Sequence, residues 1–451
     1  MKVMLVHPTE KLRRLGQPLG LSYIASYLES VGHKIKILDL MLSSTKSIDI
    51  SKEIKQFDPD VIGVTSMTPS IYSALKVLDI AKKINPNCLT VLGGPHPTAM
   101  DVETLKENSF VDVVVRGEGE ITISNLLDKK ISKQFSEVKG ITYRQENRII
   151  RNEDCPFIEN IDDLPMPAYH LLPMKEYTIY NRINFIGLYG KEEKIYSSIS
   201  ASRGCPYNCI FCECNRMLGK KLRNRNPEKI VEEIKILKEK YNVGVLGFVD
   251  DTFTINKKHF FEICNLIKKE NIDILLECST RVDTFDKETA NRLKDAGFCV
   301  VFFGFESANQ SSLDFLQKGF NVEDQKTAVK NARRADLFIE GNFMIGIPGE
   351  NKSMINRSIS FSKKLDIDQA SFPILVPFPG TQLYDYAEKN NLLLTKDWSQ
   401  YYWDNSVMKI KGFTQNDLKN IKTKAYINFY SNPKFIYKYF KRNVKNINNE
   451  D

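Results

Sequence analysis

Short apolar runs recur between Met1 and about Leu127, at KVMLV, KIKILDL, DVIGVTS, CLTVLGG and VDVVVRG. Stretches of helical periodicity separate them near Leu19–Glu29, Ser70–Ile84 and Thr98–Glu107. A strand buried on both faces reads as a continuous Val/Ile/Leu run, so this rhythm predicts a doubly wound parallel α/β sheet. Sheets of that kind bind ligands in the crevice beyond the carboxyl ends of their strands. Three strand-end segments therefore stand out: TSMTPS (65–70), GGPHPT (93–98) and RGEGE (116–120).

GITYRQENRII (140–150) alternates about a polar centre and predicts a hairpin. The proline-rich DLPMPAYHLLP after it suits an extended linker. From Lys194 the strand and helix rhythm resumes at IYSSIS, VGVLGFVD, ILLECST, CVVFFGF, LFIEGNFMIG and ASFPILVP, which gives six βα units. An incomplete parallel (β/α)6 barrel is expected, with its active groups at the strand ends. The chain thus divides into an α/β domain (1–139), a hairpin and linker (140–193), a partial barrel (194–391) and a helical C-terminal segment (392–451). In that last segment Thr414 and Asp417 give a capping-box-like helix start, and Asn432-Pro433 marks a turn. Beyond the turn Lys434, Lys438, Lys441, Arg442 and Lys445 interleave with Phe435, Ile436, Tyr439 and Phe440, the pattern of a basic amphipathic helix.

Composition narrows the setting. With 42% hydrophobic and 27% charged residues among 451, the chain reads as globular, and no run of about 18 apolar residues offers a membrane span. The opening MKVMLVHPTE looks like a strand and lacks the apolar core of a signal peptide, so a cytoplasmic location is expected. The net charge of +8 selects no partner by itself. Nine cysteines, an odd number, argue for reduced thiols or metal ligands over a disulfide framework. Cys88, Cys155, Cys264, Cys278 and Cys299 stand singly, mostly in apolar runs, and read as core residues.

The exception is RGCPYNCIFC (203–212), which places Cys205, Cys209 and Cys212 as C-x3-C-x2-C directly after the first barrel strand. A structural zinc would need a fourth ligand, for which Cys214 is available, but such sites usually pair two separated clusters. A dithiol redox site fits the spacing from Cys209 to Cys212 and leaves the third thiol unexplained. Three thiolates on a four-iron cluster leave one iron free to bind a substrate or cofactor.

With this loop the chain resembles the radical S-adenosylmethionine (SAM) superfamily, whose signature is a C-x3-C-x2-C loop after the first strand of a partial barrel. The resemblance implies that Cys205, Cys209 and Cys212 hold a [4Fe–4S] cluster whose open iron chelates SAM and cleaves it to methionine and a 5'-deoxyadenosyl radical. It implies that Phe211 lies on the adenine side of SAM. At the next strand ends Asp250, Asp251 and Glu306 are candidates for the SAM amine or ribose hydroxyls, and Arg281 for its carboxylate. FMIGIPGE (343–350) is similar to a glycine-containing segment near adenine, at a different spacing. No catalytic group beyond the cluster ligands stands out.

The resemblance continues upstream. QPLGLSYIASYLESVGHKIKILDL, PDVIGVTSMTP, TVLGGPHPT and VVVRGEGE look together like the flavodoxin-like cobalamin-binding domain that precedes the barrel in one large subgroup. The expected cobalamin contacts are Ser66, Met67, Thr68, Gly93, Gly94, His96, Gly117, Glu118 and Gly119. No D-x-H-x-x-G string occurs, so cobalt is expected without a histidine from that loop. His7, at the first strand's end, and His96 are the histidines placed near the corrin, and neither is assigned as a lower ligand.

The implied function is a cobalamin-dependent radical SAM enzyme that methylates an unactivated carbon. One SAM methylates Co(I); a second yields the radical that abstracts a substrate hydrogen, and methyl-cobalamin then supplies the methyl. A cyclase or oxidoreductase on the same scaffold is the alternative. A tRNA-modifying methylthiotransferase is disfavoured, because those enzymes carry a second three-cysteine cluster in the first domain and here that domain has only Cys88. The expected partners are a small-molecule or lipid substrate and an electron donor such as flavodoxin or ferredoxin, with no nucleic acid. The basic C-terminal helix suggests contact with a membrane surface.

Overall fold

The structure, a computed structural model, describes residues 1–11, 16–42, 44–45, 48–132, 134–179, 193–438 and 440. The apolar runs of the first domain become β1 (Lys2–His7), β2 (Lys34–Asp39), β3 (Val61–Thr65), β4 (Leu89–Gly93) and β5 (Val113–Val115). They pair in parallel in the order β2-β1-β3-β4-β5. Both faces are buried, as the unbroken runs required. Met4, Val6, Ile62, Val64 and Leu92 pack on one side with the helix Ile71–Ile84. Val3, Leu5, Val61 and Val91 pack on the other with the helices Leu19–Ser30 and Gly119–Lys130.

The predicted hairpin forms as β6 (Ile141–Gln145) and β7 (Arg148–Arg151), but it is not part of a separate linker. β6 runs antiparallel to β5 and carries the first sheet on to seven strands. Ile141 and Tyr143 of β6 are buried in the same core, which leaves β5 paired rather than an open edge. The 139/140 division thus falls inside one hydrogen-bonded sheet.

The second sheet contains β8 (Ile195–Ile199), β11 (Val243–Phe248), β12 (Leu275–Thr280), β13 (Phe298–Glu306), β14 (Phe338–Phe343) and β15 (Gln369–Ser371), parallel and in that order. A two-stranded antiparallel ribbon, β9 (Ser202–Arg203) with β10 (Arg223–Asn224), stands just after β8. Asn226, Asn256, Asp286, Asn321 and Asn351 each accept a backbone N–H at the start of a barrel helix. That satisfies donors that would otherwise lack partners and fixes where each helix departs from its loop.

Contacts from both later parts of the chain reach the first domain. The Gln17 side chain donates to Ser198 O (2.9 Å) and accepts from Ser198 N (3.0 Å), pairing with β8 as a neighbouring strand would. The C-terminal segment also returns across the first domain: the Trp398 ring meets His96 edge-on at 5.1 Å, and the Tyr402 hydroxyl accepts from Lys11 N. Thr414 and Asp417 form the expected capping box for the helix Gln415–Tyr430, and a second helical stretch begins at 433. Phe435 packs on Phe429 and Tyr430, while Ile436, Tyr437 and Phe440 are exposed. Tyr439, Lys441, Arg442 and Lys445 lie outside the described residues. Among the described residues no helix is long and apolar enough to cross a membrane.

Candidate functional site

The ribbon β9–β10 brackets the cysteine loop. Gly204 opens it at φ +92°, and a Cβ there would come within 2.3 Å of Lys221 O, so only glycine allows the two ends of the loop to close. Cys205 N donates to Gly219 O (3.1 Å), and Cys212 N to Cys209 O (3.1 Å). All nine cysteines are free thiols. Cys214, just outside the motif, is buried; its thiol donates to Asp251 Oδ2 (2.8 Å) and is hydrogen-bonded to Cys205, whose pKa it draws down to about 7. Among the described residues no three His, Cys, Asp or Glu side chains are drawn together as around a single metal ion. A four-iron cluster takes each thiolate on a different iron, so it does not ask for that convergence.

Around the loop the structure gathers most of the strand-end residues. Arg281 Nη1 lies 3.8 Å from Cys209 Sγ, and its guanidinium stacks 3.5 Å from the Tyr207 ring centre and grips both oxygens of Asp283 at 2.9 Å. Burial works against this charge, but the Asp283 carboxylate outweighs it and holds the Arg281 pKa above its ordinary value. Arg281 also donates to the carbonyl of Lys318, whose ammonium faces the Phe211 ring at 5.7 Å and pairs with Glu306 Oε1 at 3.0 Å. Phe211, Arg281 and Glu306 are therefore joined through Lys318, a residue the sequence reading did not mark. Glu306 has two unusual properties: its φ is +62°, in the left-handed region that a side chain disfavours, and its buried Oε2 has no hydrogen-bond partner among the described residues.

Asp250 and Asp251 diverge. Asp250 accepts from Ala201 N (2.9 Å) and Ser202 Oγ (2.5 Å), anchoring the strand that leads into the cysteine loop, and burial raises its pKa to about 6. Asp251 faces the cavity between the domains.

That cavity, of about 610 Å³, separates the strand ends of the first domain from the barrel mouth. Met67, Gly93, Gly94, Gly117, Glu118 and Gly119 form its first-domain wall; Tyr196, Ser198, Arg203 and Asp251 lie on the barrel side. Gly94 has φ +102°, and a Cβ there would meet Ser66 O at 2.7 Å, so only glycine lets this part of the wall pack against the end of β3. Ser66, Thr68 and His96 are buried behind the wall. His96 Nδ1 pairs with Thr68 Oγ1 (3.2 Å), and desolvation lowers its pKa to about 4. His7, by contrast, is on the cavity wall.

The Glu118 carboxylate is held in a buried ion cluster at the cavity wall. It accepts from Arg203 Nη1 (2.9 Å), from Arg223 Nη1 (2.8 and 3.0 Å) and from Ile158 N (2.8 Å). Glu120 takes the other Arg203 nitrogen at 2.7 Å. The RGEGE loop thus clamps both strands of the ribbon that carries the cysteine loop. Such pairs, whose partners stand 85 and 105 positions apart, leave no local signal in the sequence.

A doubly wound domain and a partial barrel that share one cavity, with a three-thiol loop at its edge, define an enzyme that uses two cofactor sites. The B12-binding domain model matches residues 9–127, and the radical SAM superfamily model matches residues 199–361. An uncharacterized methyltransferase of Pyrococcus horikoshii is 40% identical over 97% of this chain and 94% of its own length. The anaerobic magnesium-protoporphyrin IX monomethyl ester cyclase of Rubrivivax gelatinosus is 28% identical, covering 97% and 78%. Among solved structures, the radical SAM methyltransferase TsrM of Kitasatospora setae with cobalamin and a [4Fe–4S] cluster bound superposes with a TM-score of 0.74 at 16% identity, over 96% of this chain and 89% of that one. OxsB, with aqua-cobalamin and SAM bound, gives 0.77 at 17% identity, over 99% and 72%. The chain belongs to the cobalamin-binding radical SAM enzymes. Cobalamin, a [4Fe–4S] cluster and SAM are the cofactors of that family, and the open cavity, the free thiols and the orphaned Glu306 oxygen fit them.

Proposed function

We propose that this enzyme transfers a methyl group to an unactivated carbon. The observation that carries the reading is the shared cavity: Asp251, hydrogen-bonded to Cys214 beside the cysteine loop, faces the glycine wall of the first domain. When bound, the cluster and SAM supply a 5'-deoxyadenosyl radical and cobalamin supplies the methyl. In this reading Cys205, Cys209 and Cys212 hold the cluster, and Glu306 Oε2 accepts a hydrogen bond from SAM. Phe211 and Lys318 flank that contact, and Arg281 fixes the loop by holding Tyr207 and the Cys209 sulfur. Gly93, Gly94 and Gly117 admit the corrin, while Glu118 and Glu120 keep the two walls in register. The barrel and first domain wall the space between them on two sides, and bound cofactors would fill it.

The test is anaerobic turnover of the reconstituted enzyme with methyl-labelled SAM and fractionated small molecules and lipids. Label in a product heavier by one CH2, with 5'-deoxyadenosine released, is expected; SAM cleavage without any labelled product would sink methylation. A second reading, ring formation or oxidation on the same scaffold, is favoured by the cyclase likeness across nearly the whole chain. It predicts a product lighter by hydrogens and without label.

The reading extends to the setting. We infer a cytoplasmic enzyme reduced by a flavodoxin or ferredoxin, whose C-terminal helix rests on anionic membrane through exposed Ile436, Tyr437 and Phe440 beside Lys434. Equal flotation with anionic liposomes of the full chain and of a chain ending at Asn432 would remove the membrane contact.

A further inference from the structure

His7 closes β1 on the first-domain wall of the cavity, and among the described lining residues it is the one imidazole. Its Nδ1 lies 2.9 Å from Asp39 Oδ1. The same Asp39 oxygen accepts from Met41 N (3.0 Å), and the other accepts from the Tyr177 hydroxyl (2.9 Å). Among the described residues the other two partners of this carboxylate are donors, so Nδ1 is the ring nitrogen committed to Asp39 and Nε2 is the one left to face a ligand.

A histidine whose far nitrogen donates to a carboxylate, while its near nitrogen is left basic, is the arrangement that holds and orients metal-binding imidazoles. Three other candidate groups at or behind this wall are already engaged. Glu118 and Glu120 are held by Arg203 and Arg223. His96 is buried against Trp398 and Thr68. A flat macrocycle lying between the two walls turns one face to the first domain and one to the barrel. His7 belongs to the first of these and Asp251 to the second.

We propose that His7 Nε2 donates its lone pair to the cobalt of the bound corrin from the first-domain side, with Asp39 as the positioning residue and Tyr177 securing Asp39. The inference rests on the cobalamin reading above. It assigns the lower ligand to a histidine on the strand itself, where the D-x-H-x-x-G loop is absent. No electron is transferred in forming this bond.

The test is electron paramagnetic resonance of the full-length protein loaded with cob(II)alamin. Each cobalt hyperfine line is expected to split into three through one axial nitrogen, to become two when the protein is made with 15N-histidine, and to lose the splitting in His7→Ala while corrinoid absorbance is retained. Unsplit lines, or a triplet indifferent to 15N-histidine because it comes from the cofactor's own base, overturn the proposal. A label-sensitive doublet that persists in His7→Ala overturns it too. Where His7→Ala fails to fold, labelled His96→Gln decides: the doublet kept supports His7, and the doublet lost assigns the ligand to His96. Wild-type protein without corrinoid bands would refute the cobalamin reading itself, a result distinct from all of these.

Discussion

Replacing Glu118 by Ala removes the carboxylate at the centre of the clamp between the RGEGE loop and the ribbon. Four hydrogen bonds go with it: one from Arg203, two from Arg223 and one from the Ile158 amide. The three side chains are between 4% and 10% exposed, so water does not replace the lost partner. The consequences for the two arginines differ. Arg203 keeps Glu120, whereas Arg223 is left with the carbonyls of Ile158 and Leu218 and no counter-charge. Breaking a buried pair from one side costs about 3–5 kcal/mol, because the other charge stays buried. Glu120→Ala leaves both arginines with Glu118, and its cost is about 1–3 kcal/mol for a lost charged hydrogen bond. Urea unfolding of the two variants beside the wild type gives both numbers, and hydrogen exchange at residues 204–222 shows whether the cysteine loop loosens. A Glu118→Ala loss below about 1 kcal/mol, the size of an exposed pair, or a loss smaller than that of Glu120→Ala, would refute the clamp.

Three further outcomes follow from the site. Cys209→Ala should abolish iron loading and SAM cleavage, whereas Cys214→Ala, whose thiol bonds only to Asp251 and Cys205, should retain cluster iron and its absorption shoulder; loss of iron in the second variant would make Cys214 a ligand. Glu306→Gln should weaken SAM binding by about ten- to a hundredfold in equilibrium dialysis, the effect of a charged hydrogen bond, and an unchanged affinity would return the orphaned oxygen to a structural role. Burial holds His96 at about pKa 4 against an ordinary 6.5, so the unfolded chain binds more protons between those values, and stability falls as pH drops from about 6.5 to 4. His96→Gln should flatten that part of the stability profile, and an unaltered slope would show that His96 is not its source.

The unbroken Val/Ile/Leu runs made both sheets legible, because parallel strands buried on two faces have no alternative reading of that length. The cysteine loop was legible for a chemical reason: few structures other than a cluster ask for three thiols within eight positions. What the sequence does not display is orientation at strand ends. GGPHPT brings Gly94 to the cavity and turns His96 behind it, although only Pro95 separates them. RGEGE puts backbone glycines on the wall and aims both carboxylates at arginines far along the chain. The hairpin was recognised, but its place at the edge of the first sheet depends on the exposed pairing groups of β5, which local alternation does not register. Trp398 closing over His96 was likewise hidden, its only signal being the aromatic density of KDWSQYYWD in a segment without strand rhythm.

The ion cluster beneath the cysteine loop also bears on how such an enzyme can be rebuilt. Its acids come from one cofactor domain and its arginines from the other, so the two domains, though separate along the chain, are not interchangeable modules. A chimera that exchanges the first domain inherits a functional interface only if the incoming loop supplies both carboxylates at the same spacing. Substitutions at Glu118 and Arg223 are then better tolerated together than singly, which narrows the recombinations between the two domains that keep the interface.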